Sequence, residues 1–593
     1  MNMKLMSFGL MASLTTLLLG ESEPKLKVNS VVLMGVHTLN ESELMSVIRT
    51  KPSSLFKNQY FDRRLVKFDA ISLKTFCVSH GFLNSSVKDS IVIQDEMVNI
   101  FFKVIEGKQF ILKAVEVLEN VKLSNEKIKN ILALDVSKPY NPIALNKNLP
   151  ELKNEYQRYG KLFAEINIYE AIDDSAEVII GIDEGKDIHV SSISIEGNKE
   201  IKHILVEREL IFHQGRLYNK DEIDHSQRRL LETGIFSYAQ ITPSRDIGSD
   251  STVHLSINIK QFKTREWQSV GGYYPIEYYE GAEPLPGAGA EFGWRNRSLN
   301  FTTTNFNFKL AGFLIPSQEY VYPKLSFNMG VGNQWIMKKR IPTQIGIFYE
   351  MFKNYGRQFD PFIARYGLKI VNQNNLSEHS YIHSELRWEK FYEEEDLEQR
   401  TYILNAFIDK TDHPIIPNAG YRMMGVFHLS GGILGGSKSF YKMDFGFNHY
   451  SKILSNYVFA GRYKLGKIFG WDSTINGDQQ YDLFYLGGSS SLRGWDMLRF
   501  LTDSVGNPRG DTFRILVNWE VRFPLFGIFG GEVFIDGGFL SDTLNRQELN
   551  LFKWDGGFGI TIATPLAPFR LDFAYPLDGI NSWKMQMGAN YIF

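Results

Sequence analysis

Residues 568–593 read PFRLDFAYPLDGINSWKMQMGANYIF. Two alternating runs lie inside this stretch. In the last, Met585, Met587, Ala589, Tyr591 and Phe593 fall on one face, and Lys584, Gln586, Gly588 and Asn590 on the other. In the run before it, Phe569, Leu571, Phe573 and Tyr575 oppose Arg570, Asp572 and Ala574. A period of two places successive side chains on opposite faces of a strand. One face is therefore apolar and aromatic, and the other polar or small. Lipid outside and a wet lumen inside would produce this pattern. A water-soluble barrel or sandwich would place the apolar face inside instead. Alternation alone leaves that choice open.

The same texture extends upstream to Thr264. Alternating, aromatic-rich segments are expected at 267–275, 288–298, 301–313, 322–335, 343–353, 361–371, 379–392, 400–410, 420–432, 439–452 and 456–469. After a long connection follow 512–524, 529–540, 553–564, 567–576 and 584–593. The total is sixteen, an even number, as in bacterial outer-membrane barrels. The spacing of about 21 residues per strand and connection suits membrane strands of about 9–11 residues.

Composition narrows the choices further. The 593 residues carry 65 basic and 67 acidic side chains, a balance that argues against a nucleic-acid binder. The single cysteine, Cys77, excludes a disulfide framework and a cysteine-rich zinc site. The 44 Phe, 28 Tyr, 9 Trp and 50 Gly favour strands, turns and aromatic girdles. Residues 1–20 have the layout of a signal peptide, with Lys4 before an apolar run from Leu5 to Leu19 and Gly20 as a cleavage candidate. An uncleaved N-terminal anchor is the alternative. No later run of 18 apolar residues suggests a membrane helix.

Between the leader and the barrel the sequence repeats three times. GVHTLNESELMSVI, SHGFLNSSV and VNIFFKVIEGK are followed by VLENVKLSNEKIKNIL, RYGKLFAEI and AEVIIGIDEGK, and then by IEGNKEIKHILVEREL, LETGIFSYAQI and STVHLSINIKQ. Gly81, Gly160 and Gly234 mark the register. Each block predicts strand, helix, helix, strand, strand. Asn40 with Glu43, and Asn219 with Glu222, fit helix starts. Leu145, Leu149, Leu152, Tyr156 and Tyr159 recur at helical spacing and predict one apolar face. Alignment on the glycines puts Cys77 at the core position of Tyr156 and Leu230, so a buried apolar cysteine is expected rather than a reactive one. Edge strands of such small sheets can accept an extended peptide. Plain spacers are the alternative.

The long connection contains FYLGGSSSLRGWDMLRF, residues 484–500. With its Leu492-Arg493-Gly494-Trp495 tetrad it resembles the BamA/TamA superfamily of POTRA–β-barrel outer-membrane assembly proteins. Members carry a lumen loop ending in [IVL]-R-G-[FYW]. GGEVFIDGGFL and GITIATPLAPFRLDFAYPL resemble the family's last-strand motifs. DKTDHPIIPNAGYRM resembles its mid-barrel D-x-R-D-x-x-x-x-P-x-x-G segment, from which Thr411 and His413 depart. Three repeats resemble TamA most. The implied fold class is α+β POTRA repeats followed by an all-β, 16-stranded transmembrane barrel. The domains are a signal peptide at 1–20, POTRA-like domains at 28–109, 110–187 and 188–263, and a barrel at 264–593 with lumen loop 470–511.

The resemblance also implies site residues. Arg493 is expected to pair with Glu520 and Asp536 on the inner wall, where its planar fork suits carboxylates. A lateral seam is expected between a first strand weakened by Gly271 and Gly272 and a last strand carrying Gly588 and Phe593. A permanently closed barrel is the alternative. The implied function is TamA-like insertion or secretion of unfolded β-barrel or autotransporter clients, with a possible TamB-like inner-membrane-anchored partner and the lipid bilayer as surroundings. Alternatives are a BamA-type core insertase with fewer POTRA domains, a dedicated secretion pore, an envelope lipid-transport component and, last, a passive porin. No enzyme, catalytic residue, cofactor, metal or nucleic-acid partner is expected.

Overall fold

A computed structural model describes residues 26–53, 58–197, 201–279, 282–317, 320–377, 379–392, 396–454, 457–472, 482–542, 552–562, 568–577 and 582–589. The proposed leader and Phe593 lie outside the described residues. The chain forms two compact units. One comprises the chain up to Ser194 with Ile211–Ser226 and Ile241–Ile257, and the other the remainder, including the barrel.

The first repeat runs β1 (Lys27–Met34), α1 (Glu41–Val47), α2 (Arg63–Ser79), β2 (Ser86–Gln94) and β3 (Met97–Ile105). The second runs β4 (Leu112–Leu118), α3 (Asn125–Ile131), α4 (Pro142–Arg158), β5 (Glu165–Ile172) and β6 (Ala176–Asp183). The third runs β7 (His189–Glu196), α5 (His203–Glu207), α6 (Lys220–Glu232), β8 (Phe236–Arg245) and β9 (Thr252–Gln261). In every repeat the last strand is the middle of a three-stranded sheet. β3 lies parallel to β1 and antiparallel to β2, and β6 does the same with β4 and β5. Val98, Ile100, Phe102 and Val104 of β3 pack in one core with Leu73 and Cys77. Cys77, Tyr156 and Leu230 are all fully buried. Burial of a leucine such as Leu230 contributes about 1.5–3 kcal/mol.

The local signals act as follows. Asn40 caps α1 through Ser42 N, and Asn219 accepts from the amides of Asp221 and Glu222 at the start of α6. Gly81, Gly160 and Gly234 stand just past α2, α4 and α6 with φ of +87°, +82° and +69°. The left-handed conformation there ends each helix. Tyr159 is a correction: at 42% exposure it is off the core, because α4 ends at Arg158 and the residue turns away as its C-cap.

The Glu of each EGK triplet has a role that periodicity did not reveal. Glu106 accepts from the amides of His37 (2.9 Å), Thr38 (2.9 Å) and Leu39 (3.2 Å), fixing the approach to α1. Glu184 does the same for Val121 and Lys122, both at 2.7 Å, ahead of α3. Burial alone would raise the Glu106 carboxyl, but the His37, Leu39 and Thr38 amides outweigh it and hold the group below its ordinary value.

The barrel strands are β10 (Arg265–Ile276), β11 (Leu285–Asn296), β12 (Asn305–Pro316), β13 (Val321–Ile336), β14 (Lys339–Phe352), β15 (Ile363–Ser377), β16 (Ser380–Tyr392) and β17 (Asp396–Asp409). They continue as β18 (Gly420–Ser430), β19 (Phe440–Leu454), β20 (Tyr457–Phe469), β21 (Phe513–Pro524), β22 (Phe529–Ser541), β23 (Lys553–Ile562), β24 (Phe569–Pro576) and β25 (Lys584–Ala589). All sixteen belong to one sheet in chain order, each antiparallel to the next. The strand expected at 301–313 starts later, at Asn305. Leu299–Phe301 forms a tight turn instead, held by Leu299 N to Thr304 O at 2.7 Å.

Side-chain burial decides the question that alternation left open. Met585 and Met587 are 64% and 53% exposed, whereas Gln586 between them is 6% exposed. Arg570 and Asp572 are buried and Phe569 is exposed. The apolar face is outside and the charged face inside, the polarity of a barrel in lipid.

The depressed Glu106 carboxyl has a pH consequence. A carboxyl held below its unfolded value of about 4.3 contributes stability that is present above that pH and lost as the pH falls through the folded value. The thermal stability of the repeat segment, followed by circular dichroism, should fall below about pH 4. Glu106→Gln should cost about 1–3 kcal/mol at neutral pH and flatten that acid limb; an unchanged acid limb would contradict the assignment.

Candidate functional site

Residues 484–500 of the β20–β21 connection lie inside the barrel. Its own backbone shapes it: Gly488 N donates to Leu492 O (2.9 Å) and Trp495 O (3.1 Å), and Gly487 N donates to Ser491 Oγ (2.8 Å). This compact turn puts Arg493 at its tip, fully buried.

Arg493 meets Asp536 bidentately, Nε to Oδ2 at 2.7 Å and Nη2 to Oδ1 at 2.8 Å. Nη1 lies 2.9 Å from Glu520 Oε1 and 3.0 Å from Glu532 Oε1. The guanidinium sits 3.3 Å from the ring centroid of Phe534, so its face is covered as well as its edges. The carboxylates have further partners. Glu520 holds Arg522 at 2.8 Å, Asp572 holds Arg570 at 2.6 Å, and Asn518 Nδ2 donates to Asp536 Oδ1 at 2.7 Å. A charge this far from water persists only when paired and hydrogen-bonded.

The rest of the tetrad follows the same surface. Gly494 N donates to Asp555 Oδ2 at 3.0 Å. A Cβ at Gly494 would stand 2.6 Å from Asp555 Cβ, so glycine is required by close approach. Leu492 lies over Gly538, where a Cβ would be 2.4 Å from its Cδ1. Trp495 packs with Phe440, Phe484, Leu492, Phe500 and Leu516 in one apolar cluster.

The structure thus brings Arg493 together with Glu520 and Asp536. Sequence reasoning missed Glu532, Asp555 and Asn518. A period-two signal existed for two of them: Glu532 is four residues before Asp536 and Asn518 two before Glu520, on the same faces. It also missed how the loop reaches the last strand. Lys584 Nζ lies 3.0 Å from both Asp496 oxygens, and Gln586 Nε2 donates to Trp495 O at 3.0 Å.

At the seam, the hydrogen-bonded order begins at β10 and ends at β25, and no ladder joins the two among the described residues. Nothing lies within 4 Å of a Cβ at Gly272, and Gly271 makes only ordinary contacts. Gly588 differs: a Cβ there would press on the Arg570 guanidinium at 2.9 Å. Tyr273 of β10 stacks on Phe569 of β24, centroids 6.4 Å apart. The DKTDHPIIPNAGYRM segment is an ordered β17–β18 connection. Arg422 Nε donates to Asp409 Oδ2 (2.9 Å), Thr411 to Asp409, and His413 Nδ1 accepts from the amides of Ile415 and Ile416. The two departing residues therefore serve the turn.

Residues 295–589 match the Omp85 superfamily domain. Residues 26–107, 110–185 and 188–261 each match the POTRA surface antigen variable number repeat. The outer membrane protein assembly factor BamA of Nitratidesulfovibrio vulgaris is 22% identical over 96% of this chain and 73% of its own length. That of Neorickettsia risticii is 21% identical over 94% and 76%. The crystal structure of BamA from Haemophilus ducreyi lacking POTRA domains 1–3 superposes with a TM-score of 0.56 at 15% identity, covering 81% of this chain and 98% of that one, a likeness of fold. Matched in its repeats and in its barrel alike, the chain belongs to the Omp85 superfamily, an outer-membrane β-barrel with its POTRA repeats in the periplasm.

Proposed function

We propose that the protein assembles β-barrel or autotransporter-type clients into the outer membrane at the β10–β25 seam. The observation that carries this reading is the pair of edge strands facing each other without a ladder among the described residues. Unpaired strand edges are costly in lipid. A client strand that adds to one edge satisfies those groups through main-chain hydrogen bonds. The lumen loop then has a mechanical task. Through Arg493 it is held to the wall, and through Asp496 and the carbonyl of Trp495 it holds β25. One edge of the seam is thereby kept in place while the other exchanges partners.

Two roles within the family remain in play. The relatives aligned over nearly the whole chain are named BamA, which favours general assembly. Three POTRA repeats favour a TamA-like role with an inner-membrane-anchored, TamB-like partner. Depleting the protein and profiling the outer membrane separates them: a broad loss of barrels fits the first, and loss confined to a few clients fits the second.

The anchor is tested with Arg493→Ala. Removing one partner of a buried ion cluster costs about 3–5 kcal/mol, so the variant should lose its heat-resistant folded band on unboiled gels and its insertion activity together. Arg493→Lys should rescue little, since a point charge cannot form the fork. A variant that assembles and inserts normally would contradict the anchoring role of Arg493. The seam is tested by a reducible disulfide between cysteines placed on β10 and β25, in protein reconstituted into vesicles and offered an unfolded barrel client. Insertion should stop when the bond forms and return on reduction; a locked protein that inserts at full rate would refute the seam.

A further inference from the structure

The described residues of the connection between β10 and β11 are 277–279 and 282–284. Tyr278, Tyr279, Ala282 and Glu283 are all buried. A carboxylate at a hairpin end is ordinarily hydrated, and burial without cations is heavily penalised. Glu283 avoids that penalty by reaching three. Its Oε1 accepts from Lys464 Nζ at 2.6 Å and from Arg514 Nη1 at 3.2 Å, and its Oε2 lies 3.4 Å from Arg462 Nη1.

Those cations stand on β20 and β21. β11 is the second strand of the sixteen and β20 the eleventh, nine steps one way round the sheet and seven the other. The carboxylate has therefore crossed to the opposite wall. The cations it meets are themselves fixed. Arg514 Nη2 donates to Asp444 at 2.6 Å, and Arg462 donates to Asn518 (2.9 Å) and to Ser490 O of the lumen loop (2.8 Å).

Two tyrosines hold the near side. The Tyr278 hydroxyl donates to Lys353 O at 2.8 Å, and the Tyr279 hydroxyl accepts from Tyr355 N at 2.6 Å. The Tyr279 ring stands 5.4 Å from that of Tyr485 in the lumen loop. Lys324 Nζ donates to the carbonyls of Glu277 and Tyr278.

We propose that Tyr278, Tyr279, Ala282 and Glu283 of this connection form a built-in plug with Glu283 as its latch, closing the lumen and pinning the β10–β11 hairpin to the far wall. The hairpin carries one edge of the seam. It swings only when the carboxylate leaves its cations, so Glu283 is a positioning residue for that edge.

Single-channel recording of the purified full-length protein in planar bilayers tests the latch with no client present. Glu283→Gln keeps the shape and removes the charge. Open probability should rise several-fold, and Glu283→Asp, which restores the negative charge among the same cations, should return it toward the parent. A folded, heat-modifiable Glu283→Gln protein that stays as closed as the parent overturns the proposal. If that variant does not fold, Lys464→Gln weakens the same pair from the wall, with the same expected and overturning results. Because the bilayer holds no client, failure of the plug and failure of the seam reading are separately visible.

Discussion

A guanidinium held in the barrel's interior, away from water, sets the terms for much of this fold. Arg493 would be strongly unfavourable there alone. Its neighbours therefore have to converge on it, and they come from several strands. Glu520 is on β21, Glu532 and Asp536 on β22, and Asp572, 3.8 Å away, on β24. The adjacent Gly494 amide takes Asp555 of β23, and Gln586 of β25 reaches the Arg493 carbonyl at 3.3 Å. One tetrad thus touches five consecutive strands. The lumen loop, its apolar cluster and the alignment of the C-terminal strands share this single anchor.

The inverted polarity of the wall makes such an anchor possible. In a soluble protein the alternating apolar face would fill the core and exclude a cluster of this kind. Here Met585, Met587 and Phe569 face outward, and the interior is left for Arg570, Asp572 and Gln586. The abundance of aromatic residues has the same origin. Trp267, Phe292 and Trp294 cluster on neighbouring outer positions of β10 and β11, with centroids 5.3 and 5.8 Å from Trp267. Burial of apolar area against lipid replaces burial in a core.

Legibility in the sequence followed physical range. Strand alternation and helix periodicity are local, so all sixteen barrel strands and the order within each repeat could be read from them. The places where the reading slipped are ends. Phe301 opens the alternating segment 301–313, yet it occupies a turn at φ +59°. Tyr159 continued a helical stripe past the point where the helix stops. In the site, Arg493, Glu520 and Asp536 were found through a motif. Asp555 was not, because its partner is set by the three-dimensional register of β23 and not by spacing, whereas Glu532 shares the period-two face of Asp536. Glu283 was invisible for the same reason: nothing in a hairpin end announces a cation on the opposite wall. The face question had no local answer at all, since alternation is symmetric until the strands close.

The seam that results is asymmetric. β25 is short among the described residues and is held from inside by Lys584, Gln586 and, through Gly588, by the close packing of Arg570. β10 pairs with β11 over its full length, from Arg265 with Asn296 to Ile276 with Leu285, and its Gly272 leaves open space. The β10–β11 hairpin is therefore a coherent piece, joined to the far wall at Glu283 and to the next strand by the β11–β12 ladder. Separating β25 would disturb a buried network spread over five strands. Swinging the first hairpin disturbs one carboxylate with its cations, two tyrosine hydroxyl bonds and the Lys324 contacts, all made by a single connection. The cheaper motion is on the β10 side, so if the proposed seam operates, the edge offered for strand addition is that of β10, with β25 as the fixed reference against which a new strand finds its register.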